Sequence, residues 1–117
     1  MKNPYNVLLF SNEAYDIEIW LVDGKYVRTN IDEEFIGGGH HYRYDFIPEN
    51  EIWIEDNTRE DEIINYLIHE LHERHLMKHE GLEYDAAHEK SSEVELYSRH
   101  YPEEIRNMLE EELADQD

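Results

Sequence analysis

TREDEIINYLIHELHERHLMKH, residues 58–79, is the segment on which the rest of this chain depends. Its apolar residues recur every three or four positions, which is the period of an amphipathic helix. Thr58 with Asp61 resembles a capping box and Gly81 suits a helix end, so we expect one helix from residue 58 to about residue 79. Within it, HELHE at residues 69–73 sets a histidine and a glutamate four positions apart. They share one helix face, where both can bind a single ion.

The composition predicts one folded domain. The chain has 117 residues, 39% of them hydrophobic, with nine Tyr, two Trp and three Phe. We expect a single domain over residues 1–117, mainly β in residues 1–57 and helical in residues 58–117. Because there is no Cys, any metal must be held by His, carboxylates and water. No signal peptide opens the chain, and no apolar run approaches the ~20 residues that cross a bilayer, so we expect a cytoplasmic protein.

The charge is strongly negative. Thirty acidic residues against ten basic ones give a net charge of −20. Such a field disfavours nucleic acid and anionic membranes, and it favours cations and basic proteins. The plainest interpretation is a solvated acidic surface, and a protein that imitates DNA is a sharper alternative. The sequence gives no oligomeric state.

The first half of the chain has the patterns of short strands. Apolar and polar residues alternate with the period of a strand at residues 15–22, 42–47 and 51–56. Asp23-Gly24 is a strong hairpin signal, so residues 25–30 should return as a partner strand. Residues 5–10 are a short apolar run that fits a strand or a helical turn.

Two more helices are expected after residues 58–79. One fits residues 84–100, and another opens at Pro102 and runs to about Ala114. The predicted fold class is therefore α+β, a small antiparallel β-sheet followed by three α-helices.

The two longer helices bring the reactive side chains together. A projection at roughly 100° per residue puts His69 and Glu73 on the face opposite the apolar stripe. The second helix carries Tyr84, His88 and Glu95 on one face, beside small residues that permit a close approach. We expect His69, Glu73 and His88, with Glu95 as a further candidate, in one polar cluster. Burying such a cluster is costly unless hydrogen bonds or a cation satisfy it, and both remain open.

Other histidines offer alternatives. The first long helix also carries a second set of possible ligands at spacing i, i+3 and i+7, namely His72, His75 and His79. This set includes no base and lies nearer the core, so it ranks below the set that contains His69. Three glycines at residues 37–39 precede His40 and His41, either as a flexible turn or as a loop that delivers one of these side chains to a site.

HELHE resembles the HExxH active-site helix of the zincins, the zinc metallopeptidases, with Glu73 in place of the second histidine. The runs GGGHHYRYDFIPENEIWI, HELHERHLM and YDAAH are also similar to a group of small microbial proteins with an HELxE…LM…YDxAH pattern. The zincin resemblance implies a metal held by His69 and Glu73, with His88 or Glu95 as the third ligand. It implies that Glu70 is the general base.

These resemblances imply a zincin-like core that binds a divalent metal. Zinc is the first expectation, with manganese or nickel as alternatives. A small metal-dependent hydrolase acting on peptides is the preferred function, and the acidic surface would favour basic peptides. The competing hypothesis is a non-enzymatic acidic interaction module that binds a basic protein or imitates DNA.

Overall fold

A mixed β-sheet forms one layer of the protein, and the computed structural model describes residues 4–116. Within that range the sheet has four strands, β1 (Tyr5–Asn12), β2 (Ile17–Val22), β3 (Gly38–His40) and β4 (Glu51–Glu55). Their order is β1-β2-β4-β3. β1 and β3 run antiparallel to their neighbours, whereas β2 and β4 are parallel. The predicted sheet was antiparallel, whereas the observed sheet is mixed, because the chain crosses over between β2 and β4.

The crossover begins with a helix where a hairpin was expected. Asp23 is the N-cap of helix α1 (Gly24–Asn30), and its carboxylate accepts a hydrogen bond from the Tyr26 amide at 3.0 Å. A capping aspartate followed by glycine thus starts a helix here instead of turning a hairpin. The prediction of a strand at residues 25–30 was wrong.

Residues 42–47 form turns, although their alternation predicted a strand. Two of their aromatic side chains pack edge-on around Phe35, with ring centroids 5.5 Å away for Tyr44 and 6.3 Å away for Phe46. Ile47 is completely buried in the same cluster. The alternation therefore reflects packing of a turn onto an aromatic core, since burial of every second side chain is not unique to strands.

Three longer helices follow the sheet: α2 (Glu60–His79), α3 (Tyr84–His100) and α4 (Ile105–Ala114), the last preceded by a 3₁₀ turn at Pro102–Glu104. With α1, residues 4–116 contain four α-helices instead of three. The capping box was wrong, because the N-cap of α2 is Arg59 and no side chain caps it. The predicted end was right: Gly81 has φ +67°, and the Leu82 amide donates to the Leu76 carbonyl at 3.2 Å.

The core lies on both faces of the sheet. On one face α2 and α4 cover the central strands, and the buried members are Ile17, Ile19, Ile52, Ile54, Leu67, Leu71 and Leu113. On the other face α1 contributes Val27 and the loop segments contribute Phe35 and Ile47. These side chains pack against Val22 and Trp53 of the sheet. Each such side chain contributes about 1.5–3 kcal/mol by leaving water.

α2 is packed between the sheet and α3. The buried residues of α3 are all small, Ala87, Ser91 and Ser98, as expected for a close helix–helix approach. This pairing aligns the His69 face of α2 with the first turns of α3. In residues 4–116 no helix combines the length and apolar character that crossing a membrane requires.

Candidate metal centre

Three potential ligand atoms meet between α2 and α3. His69 and Glu73 lie one turn apart on α2, both buried, with Nε2 and Oε2 3.1 Å apart. α3 brings His88 Nδ1 to 3.1 Å from the same Oε2 and 3.2 Å from His69 Nε2. The His88 side chain is 49% exposed, so the group is buried on two sides and open on the third.

The spacing of these three atoms fits a metal ion. Ligands held at about 2.0–2.1 Å from zinc at the corners of a tetrahedron are about 3.3–3.4 Å apart. The observed separations of 3.1, 3.1 and 3.2 Å are only slightly shorter. The three side chains would need movements of a few tenths of an ångström to hold an ion.

Hydrogen atoms alone do not satisfy the same three contacts. Each ring nitrogen carries at most one hydrogen, and an ionised Glu73 carries none. If both nitrogens donate to Glu73 Oε2, their hydrogens face each other across the 3.2 Å contact. If one nitrogen accepts instead, its lone pair faces the carboxylate. A cation at the centre would satisfy all three lone pairs at once.

The second oxygen of Glu73 is held by His40, which β3 supplies. His40 is completely buried, and its Nε2 lies 2.8 Å from Glu73 Oε1. Its Nδ1 accepts a hydrogen bond from the Tyr42 amide at 3.2 Å, so the hydrogen is on Nε2 and points at Glu73. Burial lowers the pKa of His40, which keeps the ring neutral. His40 is therefore a donor that orients Glu73, as hydrogen-bonded groups around metal ligands do.

Glycines let β3 come close enough to do this. A Cβ on Gly38 would lie 2.7 Å from the Trp53 carbonyl oxygen, and one on Gly39 would lie 2.6 Å from the Tyr44 ring. Of the two interpretations of the glycine-rich segment, a strand that delivers a side chain is the one the structure adopts. The contact of His40 with Glu73 joins residues 33 positions apart, and no local sequence pattern predicts it.

Glu95 lies on the other side of the His69 ring. Its Oε1 is 3.0 Å from His69 Nδ1, which is hydrogen-bonding distance, although the alignment of a hydrogen bond is missing. Its Oε2 accepts from Arg99 at 2.7 Å, and Arg99 also pairs with Glu62. Since Nδ1 faces away from the ion-sized gap at Nε2, Glu95 lies behind a candidate ligand and not beside the gap. This is the place of the carboxylate in a carboxylate–histidine–metal arrangement.

Glu70 lines the open side of the group and is partly buried. Its carboxylate, His40 Nε2 and an oxygen of Glu73 lie within 4.8 Å of one another, which makes a second set of possible ligands. His40 already uses Nε2 as a donor to Glu73, so this set is less suited to an ion than the first. Burial, reinforced by the charge of Glu73, raises the pKa of Glu70 to about 8.

Glu73 and His69 shift each other's pKa in opposite directions. Burial alone would raise the pKa of Glu73, but hydrogen bonds from His40 and His69 outweigh it and hold the pKa at about 2. Burial alone would lower the pKa of His69, but its contacts with Glu73 and Glu95 raise it to about 10. In the metal-free protein a proton on His69 therefore balances Glu73. A metal would have to displace that proton.

Two cavities open onto the group. One of about 260 Å³ lies on the Tyr66, Ser92 and Glu95 side. The other, of about 120 Å³, lies on the Arg43 and Tyr84 side. Both are lined by the set Ile36, Gly38, His69, Glu70 and His88. The site thus has room for a further ligand next to Glu70.

The remaining candidates are divided between this site and other places. Tyr84 is at the site, with its hydroxyl 3.4 Å from His88 Nδ1. His41 is not, because its Nδ1 contacts the Ile47 carbonyl at 2.7 Å and its ring faces the turn. The second set of histidines on α2 contacts the C-terminal residues, in the pairs His72–Glu112, His75–Asp115 and His79–Gln116. Those histidines hold the end of the chain in place.

No protein-family model, curated protein or solved structure matches the chain. The geometry of the site therefore carries the functional interpretation.

Proposed function

We propose that this chain is a divalent-metal-binding protein that holds one ion, zinc first, with His69, Glu73 and His88. The observation that carries the proposal is the triangle of Nε2, Oε2 and Nδ1 atoms, 3.1–3.2 Å apart, which protons do not satisfy. Two imidazoles and one carboxylate suit zinc, and manganese or nickel are secondary candidates. His40 behind Glu73 and Glu95 behind His69 support the same assignment, because ligands of functional sites are usually fixed from behind.

The proposal extends to a small, zincin-like hydrolase. A bound zinc would supply a Lewis acid that polarises a carbonyl and makes a coordinated water acidic. Glu70 lines the open cavity beside the three ligands, and the charge of a bound ion would lower the raised pKa of its carboxyl group. The carboxylate could then take a proton from the attacking water and pass it to the leaving group. The acidic surface of the chain, with a net charge of −20, favours peptides with basic residues as substrates.

The metal is tested by elemental analysis of protein purified without a nickel column. We expect one zinc per chain in the wild type and none in His69→Ala or Glu73→Ala. His100→Ala is the matched control, because His100 is exposed and at the far end of α3. A metal-free wild type whose melting temperature responds to neither zinc nor chelator would contradict the assignment.

The hydrolytic part is tested by Glu70→Gln. We expect this variant to keep its zinc and to lose the cleavage of a fluorescence-quenched peptide library enriched in Lys and Arg. The amide cannot accept the proton, whereas the three ligands are unchanged. A zinc-loaded wild type that cleaves no peptide of the library would leave the site as a structural one.

A second candidate function, an acidic interaction surface, has one observation in its favour. Leu96, Tyr97 and Tyr101 are 56%, 47% and 47% exposed on α3 and the residue after it. They adjoin two grooves that also contain Glu93 and Glu111. An amphipathic basic helix would complement an apolar strip with acidic edges. Binding of a synthetic Lys/Leu helix that survives chelation, weakens with salt and is lost in Tyr97→Ser would support this function.

A further inference from the structure

Arg43 brings a positive charge to the candidate metal centre. It follows β3 in the turn at residues 41–43, and it lines the cavity of about 120 Å³ together with Glu70 and His88. Among the described residues that line the two cavities, Arg43 is the only lysine or arginine. Its guanidinium carbon is 4.0 Å from the centre of the Tyr84 ring and 5.2 Å from that of Tyr44.

Among residues 4–116, no carboxylate forms an ion pair with this guanidinium, although the chain carries 30 acidic residues. In the part of the chain that the structure describes, Arg28, Arg59 and Arg99 each form an ion pair with a carboxylate. No carboxylate oxygen of residues 4–116 comes within 4.0 Å of the Arg43 nitrogens. The charge of Arg43 beside the cavity is therefore not neutralised by a carboxylate of the described residues.

The contacts of Arg43 leave N–H groups for a ligand. Its guanidinium lies over the rings of Tyr84 and Tyr44 and also hydrogen-bonds the Tyr84 side chain. A guanidinium has five N–H donors, so others remain that can bind the two oxygens of one oxyanion. The tyrosines also restrain the side chain, so less rotational freedom is lost on binding.

We propose that Arg43 binds an oxyanion, a carboxylate or a phosphate group, of the ligand that enters the cavity beside His69, Glu73 and His88. The inference rests on the proposed metal site and adds the chemical class of its ligand. That ligand carries one group that reaches the metal and one anionic group that reaches Arg43.

A bound metal should strengthen this binding. A divalent ion adds positive charge close to the cavity that Arg43 lines, so the metal-loaded site attracts an anion more strongly than the metal-free one. The ion also offers a second point of attachment beside Arg43. An oxyanion ligand should therefore bind more tightly to the metal-loaded protein than to the metal-free one.

The experiment measures oxyanion binding to cobalt-substituted protein by the visible absorption of the cobalt ion and by calorimetry. The probes are acetate, succinate and inorganic phosphate, so that a single carboxylate, a pair of carboxylates and a phosphate are compared. We expect succinate or phosphate to bind the wild type at least about tenfold more tightly than acetate, because only they engage both the ion and Arg43. Whichever of the two binds more tightly identifies the source of the oxyanion.

The variants are Arg43→Ala, Arg43→Lys and Arg43→Gln, with Arg106→Ala on α4 as the matched control. We expect Arg43→Ala and Arg43→Gln to lose the preference over acetate, Arg43→Lys to retain part of it, and the control to retain all of it. Arg43→Gln keeps a planar group against the tyrosines, so it serves if the alanine variant fails to fold. Equal preferences in the wild type and the metal-loaded Arg43→Gln would overturn the inference and leave the metal site standing. A wild type that binds no cobalt would overturn the proposed function itself.

Discussion

Substitution of His40 tests whether this residue is a metal ligand or supports one. His40 donates to Glu73 from behind, so replacing it should leave the three proposed ligands in place but free Glu73 to move. We expect His40→Leu to lower the affinity for zinc by about 10–100-fold, and His40→Gln, which can still donate, to lower it less. Competition with a chromophoric chelator measures both. His41→Leu is the control, since His41 lies next along the chain and faces the turn.

A larger effect of the His40 substitution on zinc binding would give His40 a different role. If His40→Leu abolished zinc binding as completely as Glu73→Ala, His40 would be a ligand and the second set with Glu70 would hold the ion.

Glu70 should give the metal-free protein a distinctive pH dependence. Its pKa rises from the ordinary 4.5 to about 8 in the folded protein, so between these values the folded chain holds a proton that the unfolded chain has lost. The stability contributed by the neutral acid is complete below pH 4.5 and is lost as the pH rises to about 8. Glu70→Gln has no such proton, so its advantage over the wild type should grow from pH 5 to pH 8, reaching on the order of 1–3 kcal/mol.

Urea unfolding of the metal-free proteins at the two pH values measures this difference. Glu89→Gln, at an exposed position on α3, is the control and should show no comparable growth. An advantage for Glu70→Gln that is the same at both pH values would show that Glu70 is ionised throughout.

For individual residues, the sequence places the three central side chains together but does not reveal which residues hold them in position. The four-residue spacing of His69 and Glu73 and the short link to α3 are local features, so a helical projection brings them together with His88. Glu95 was placed on the right face but taken for a ligand candidate, because a projection does not show which ring nitrogen it meets. The roles of His40 and Arg43 depend on the pairing of β3 with β4, which no periodicity encodes.

Among the elements, helices α2, α3 and α4 were predictable and the crossover was not. Helix periodicity and Gly81 are local signals, and the bounds of α3 at Tyr84–His100 agree with the prediction. Asp23-Gly24 is compatible with both a hairpin and a capped helix, and the choice depends on packing. Gly24 lies against Glu55 of β4, so tertiary contact decides the outcome there.

The turn between α2 and α3 should be sensitive to its backbone conformation. Gly81 has φ +67°, and a Cβ there would meet nothing within 4 Å, so only backbone strain opposes a substitution. We expect Gly81→Ala to reduce the free energy of unfolding by about 1–2 kcal/mol, and Gly81→Asn, which tolerates this region better, by less. Thermal melts of the two metal-free variants give the comparison. Equal losses would mean that the turn adopts a different conformation in the variants.

For the whole molecule, the net charge of −20 is a source of instability. Raising sodium chloride from about 10 mM to about 1 M shortens the Debye length from about 30 to about 3 Å and screens the self-repulsion of the folded chain. We expect the melting temperature of the metal-free protein to rise by several degrees, because its exposed ion pairs, such as Arg59–Asp61, contribute little that salt could remove. Potassium chloride should give the same rise. A melting temperature that falls with salt would mean that attractive ion pairs outweigh the repulsion.

The positions of the proposed ligands along the chain bear on how the protein folds. His69 and His88 are 19 positions apart on one helical hairpin, whereas the contact of His40 with Glu73 spans 33. Contacts close in sequence require less chain entropy to form, so an ion can join α2 to α3 before the sheet is complete. Zinc should then accelerate refolding as well as slow unfolding, which stopped-flow measurements with and without the ion would show. If zinc changed only the unfolding rate, the hairpin would form after the rate-limiting step; if it changed the refolding rate, the ion would help to start folding.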